Sequence, residues 1–175
     1  NSAAQNVMGF FNINTGVVGT NVSGLASSLR ITPSVNGWYR CSMTVSATHP
    51  SITYEWRIDV IDSDNRSTMT GDGVKGTYVW GAQLETGANL SEYIPTTTTA
   101  VTSYVSYTPI ITNLLTYSEE FDNAAWTKTD LSLLPNNSVA PNGTFTADRV
   151  TDTPINTSHY IVVTFSSPIM TIGQI

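Results

Sequence analysis

Residues 76–122 read GTYVWGAQLETGANLSEYIPTTTTAVTSYVSYTPIITNLLTYSEEFD. The first part alternates with period two, which predicts a strand over 77–85 with Tyr78, Trp80, Ala82 and Leu84 inward. No regular pattern follows over 86–111. The run Pro95-Thr-Thr-Thr-Thr99 is β-branched and uncharged, as in a semi-stiff linker or an edge segment. Leu114–Tyr117 then opens a new patterned region. The order reads as the end of one β-module, a connector and the start of another. The expected division is therefore 1–94 as the later part of a module, 95–111 as a linker, and 112–175 as the opening part of a second module or of the same one in permuted order.

Outward from this stretch the signals remain those of strands. Residues 7–13 read as a strand ending at the Asn14-Thr-Gly16 turn. Residues 37–48 alternate over twelve positions, with Tyr39, Cys41, Met43, Val45 and Ala47 on one side and Trp38, Arg40, Ser42, Thr44 and Ser46 on the other. Residues 53–61 place Tyr54, Trp56, Ile58 and Val60 inward and Glu55, Arg57 and Asp59 outward. Further strands are expected at 125–134, 145–151 and 158–166, the last with Ile161, Val163 and Phe165 on one face. Short strands with turn signals between them predict an all-β, antiparallel β-sandwich of jelly-roll type.

The composition narrows the function classes. Of the 175 residues only 11% are charged, against a typical ~25%. Ser, Thr and Asn make up roughly a third, so hydroxyls and amides solubilise the surface. A net charge of −6 and scattered basic residues, from Arg30 to Arg149, argue against nucleic acid and anionic membranes as partners. No apolar run approaches the ~18 residues that mark a membrane span. Cys41 is the sole cysteine and lies on the apolar side of its strand, as a buried structural thiol would. The chain opens at Asn1 in mid-pattern, as a processed or truncated product would.

Several segments together resemble a β-sandwich module of bacteriophage virion proteins, similar to carbohydrate-binding modules of the galactose-binding-like jelly-roll type. The module's opening resembles Asn113-Leu-Leu-Thr-Tyr-Ser-Glu-Glu-Phe-Asp-Asn-Ala-Ala-Trp126-Thr and continues as Thr146-Ala-Asp-Arg-Val150. Its later part resembles Phe11-Asn-Ile-Asn-Thr-Gly16, Asn36-Gly-Trp-Tyr-Arg-Cys41, Tyr78-Val-Trp-Gly-Ala-Gln-Leu-Glu85 and Tyr93-Ile-Pro-Thr-Thr97. In this chain the later part precedes the opening. A half-sandwich would expose strand edges and an apolar face. The opening strands are thus expected to pair with the closing ones, within the chain or by exchange between chains.

The resemblance implies a non-enzymatic virion component (tail fibre, spike or capsid surface) that attaches to host surface glycans. It also implies other virion proteins as partners, a homo-oligomer such as a strand-exchanged trimer, and a location on the virion surface or outside the cell. The alternative is a carbohydrate-binding module appended to a glycan-active enzyme. No cofactor is expected, with a structural calcium ion near the opening motif as the variant the resemblance allows. The candidate sugar-binding residues are Trp38, Arg40, Glu55, Arg57 and Asp59, one aromatic and four polar groups on neighbouring strands if 37–48 pairs with 53–61. Catalytic and metal residues are not expected. His49 and His159 are isolated. Glu119, Glu120 and Asp122 form a cluster that a hydrolase reading would need to span a cleft, but adjacent acids at a strand end face solvent. Asp62-Ser-Asp64-Asn65 and Asp72-Gly73 read as turns.

Overall fold

A computed structural model describes residues 8–21, 26–46, 53–62, 68–103, 111–166 and 171–173. These residues are all-β, as expected. The strands are β1 (Gly9–Asn12), β2 (Val17–Asn21), β3 (Ala26–Pro33), β4 (Tyr39–Ser46), β5 (Thr53–Asp59), β6 (Met69–Thr70), β7 (Gly76–Val79) and β8 (Glu85–Thr86). They continue with β9 (Val101–Ser103), β10 (Ile111–Asn113), β11 (Thr127–Thr129), β12 (Leu131–Ser138), β13 (Ala147–Asp152), β14 (Asn156–Thr157), β15 (Tyr160–Ser166) and β16 (Thr171–Gly173). Every ladder is antiparallel.

Two three-stranded sheets, β12-β13-β7 and β11-β15-β5, face each other across the core. In the second, Trp56 stands opposite Val163 and Ile58 opposite Ile161, so one face of the β5–β15 ladder is apolar throughout. The first contributes Val79, Val150, Leu131 and Leu133. Leu84, Leu115, Phe121 and Trp126 complete the cluster from the segments around β8, β10 and β11. Trp126 meets Trp56 edge-on at 5.3 Å and Phe121 at 5.0 Å. Such aromatic pairs add about 0.5–1.5 kcal/mol beyond the area they bury.

The ladders join the region before the connector to the region after it. β7 pairs with β13, β5 with β15, β6 with β14, and both β4 and β8 with β16. Among the described residues of the connector, β9 pairs with β10 and Thr96 is buried.

A further sheet, β3-β4-β16-β8, carries the long β3–β4 hairpin. The β1–β2 hairpin lies over its Leu29/Met43 face: a Cβ on Gly9 would collide with the Leu29 side chain, and one on Gly16 would meet Tyr39 at 2.8 Å. The turn between β3 and β4 uses Asn36 and Gly37, both at positive φ.

Two expected patterns are corrected. Tyr78 is 45% exposed and Val79 takes the core position, because β7 ends at Val79 and Gly81, at φ +72, resets the alternation before Ala82 and Leu84 turn inward. The strand expected over 125–134 is broken at Asp130 (φ 51), which sends β11 and β12 to opposite sheets.

Candidate functional site

The five predicted sugar-binding residues fall into two groups. β4 and β5 do not pair: β4 belongs to the β3-β4-β16-β8 sheet and β5 to the β11-β15-β5 sheet. Trp38 precedes β4 and donates its Nε1–H to the Val139 carbonyl at 2.9 Å, so its polar tip is held by the loop after β12. Arg40 is half-buried. Burial works against its charge, and the Glu85 and Glu92 carboxylates nearby partly restore it. On the other sheet Arg57 donates through Nη2 to Asp59 Oδ2 at 2.8 Å, donates through Nε to the same carboxylate, and stacks over the Tyr160 ring at 3.5 Å. The pair uses two of the five guanidinium N–H groups, and both side chains remain partly exposed. Glu55 is exposed on the same strand.

The hairpin β3–β4 presents a different polar surface. Its register sets Ser28 opposite Thr44, Arg30 opposite Ser42 and Thr32 opposite Arg40. Opposed residues of an antiparallel pair share a face. Ser28, Arg30, Ser42 and Thr44, together with Ala88, Asn89 and Leu90 from the segment after β8, line a shallow groove of about 80 Å³. Ser42, only 6% exposed, is the most buried residue of this lining. Arg30 is exposed and forms no ion pair among the described residues. Ser42 and Thr44 were assigned to the outward side of their strand, but no sequence signal showed the 88–90 segment alongside them.

The residues that carry the resemblance are mostly spent on holding the fold. Asn113 uses its full side-chain capacity. Its Nδ2 donates to Ala82 O (3.1 Å) and Ile94 O (2.8 Å), and its Oδ1 accepts from the Leu84 and Leu115 amides (both 3.1 Å). Gln83 donates to Glu85 at 2.9 Å and accepts from the Ile94 amide at 2.7 Å. Glu85, 1% exposed, also accepts from the Ser91 amide at 3.0 Å and from its hydroxyl. Ser118 bonds Tyr93 Oη (2.7 Å) and accepts from the Thr96 amide (2.8 Å). Trp126 Nε1 donates to Tyr117 O.

The acidic cluster follows the same pattern. Phe121 is buried, its amide donates to Asp148 Oδ2 at 3.0 Å, and Glu119 accepts from Tyr93 Oη at 3.1 Å. Glu120 and Asp122 are exposed. Asp148 also takes the Asn136 amide at 2.9 Å. Burial raises its pKa against the pull of those two amides. Among the described residues no three His, Cys, Asp or Glu side chains gather into a metal-holding group.

His159 is buried between Asp130 O (2.7 Å, at Nδ1) and Met69 O (3.2 Å, at Nε2). Two carbonyls can both be satisfied only by a ring protonated on both nitrogens. Burial opposes that charge, but the backbone acceptors and the Asp152 carboxylate outweigh it, and the pKa lies above the ordinary value. Asp152 Oδ1 in turn accepts from the Asp72 and Gly73 amides (3.2 and 2.8 Å), anchoring the expected turn there. Cys41 is half-buried, and burial pushes its thiol up to about 11. His49 and the Asp64-Asn65 part of the 62–65 turn lie outside the described residues.

Comparison with family models, curated proteins and solved structures finds no match.

Proposed function

We propose that this chain is a non-enzymatic, glycan-binding β-sandwich of a phage virion, acting in structure or host attachment at the virion surface. The observation that carries the reading is the β3–β4 groove, lined by the hydroxyl residues Ser28 and Ser42 and by Arg30, an exposed arginine that forms no ion pair among the described residues. Four buried titratable groups hold the fold: Glu85, Asp148, Asp152 and His159 are bound to backbone amides or carbonyls. In this proposal residues 112–166 and the region before the connector form one sandwich in permuted order, with jelly-roll-like connectivity. The ladders between the two regions support this. A homo-oligomer, a trimer included, can exchange the same strands between copies without losing a pairing.

A glycan array probed with the intact chain tests the binding function. Binding that disappears in Ser42→Val, whose larger side chain fills the groove, is the expected result. An array with no positive glycan leaves a purely structural role. A single monomeric species in light scattering would remove strand exchange.

A further inference from the structure

Resting on the glycan-binding reading, we infer that the β3–β4 groove takes a sugar bearing one carboxylate, with Arg30 as the residue that selects for the acid. Three features of the groove point to this chemistry. Its lining holds no aromatic ring, only Ala88 and Leu90 as apolar contacts, so stacking on a sugar face is not its main means of recognition. Hydroxyl and amide groups supply the rest: Ser28, Ser42, Thr44 and Asn89 suit the ring hydroxyls of a saccharide. At about 80 Å³ the groove is well below the ~300–1,000 Å³ range of small-molecule sites, so it takes the carboxylate and a neighbouring hydroxyl while the rest of the saccharide lies across its open sides.

Charge decides between a neutral and an acidic sugar. Arg40, one step along the sheet, already faces Glu85 and Glu92. Arg30 has no such partner among the described residues. An arginine fork matches a carboxylate with two parallel hydrogen bonds, about twice as strong as neutral ones. The chain's net charge of −6 repels a dense polyanion, but beyond roughly 8–10 Å salt screens that repulsion. The fitting ligand therefore carries isolated carboxylates, as in a polysaccharide with one uronic acid per repeat.

The experiment titrates the intact chain, by calorimetry, with uronic-acid tetrasaccharides containing glucuronate, galacturonate or mannuronate, each beside its carboxyl-reduced form. An acidic tetrasaccharide should bind about tenfold more tightly than its reduced twin, the loss of one charged hydrogen-bonded contact. Arg30→Gln, at an exposed site, should bring the two to parity. Equal binding of both forms, or an unchanged preference in Arg30→Gln, overturns the acid-sugar inference and leaves glycan binding intact. Acid-selective binding that persists in Ser42→Val overturns the location. If no saccharide binds, acidic or neutral, on the array or in solution, both readings fall together.

Discussion

Replacing Asn113 by alanine should nearly unfold this protein. Its side chain joins four backbone groups, the carbonyls of Ala82 and Ile94 and the amides of Leu84 and Leu115. All four residues are buried, between 1% and 7% exposed, so water cannot easily replace the lost partner. At about 1 kcal/mol net for each hydrogen bond, the variant loses about 4 kcal/mol, with more if the orphaned groups stay dry. That is a large share of the 5–15 kcal/mol typical of a folded domain. Urea unfolding followed by tryptophan fluorescence measures it. The midpoint should fall steeply while the slope stays unchanged. Asn113→Asp sharpens the test. It keeps the acceptor for two amides but sets a carboxylate oxygen against two carbonyls. Its buried acid has a raised pKa, so the folded state binds more protons and stability should recover as pH falls through that value. An Asn113→Ala variant within 1 kcal/mol of the parent would refute the reasoning.

Three other outcomes follow from particular contacts. A Cβ on Gly76 would collide with Val150 O and meet Thr151 Oγ1 at 2.9 Å, so Gly76→Ala should cost about 1–3 kcal/mol and speed amide exchange along β7. His159, whose folded pKa is raised, should contribute stability that is full below its unfolded pKa of about 6.5 and lost as pH rises through the folded value. His159→Gln should flatten that part of the stability profile, and a parallel profile would contradict the assignment. With its pKa near 11, Cys41 should react with an alkylating reagent at pH 8 at least about tenfold more slowly in the native chain than in urea; equal rates would show an accessible thiolate.

The strands were legible where alternation ran long. β4 and β5 fall where their twelve- and nine-residue patterns place them, and Trp56 is buried on the side its alternation gives it. Tyr78 misled because period two carries no information about a positive-φ glycine two residues past the strand's end. The predicted site failed as a unit because strands close in sequence usually neighbour one another, whereas β5 pairs with β15. The β3–β4 groove was not legible, because a serine on an outward-facing strand position looks solvated until the 88–90 segment is placed beside it.

The long-range ladders also bear on synthesis. β5 is complete at Asp59, and its partner β15 begins only at Tyr160. At about 5–20 residues per second, roughly 100 residues of waiting lasts on the order of 5–20 s. Throughout that interval Trp56 and Ile58 lack the strand that covers their edge, and a nascent chain in that condition is open to chaperones and to its neighbours on the same polysome. An order that placed Asn113–Ser166 first would reverse the wait, leaving β15 and β13 to be completed by strands that follow.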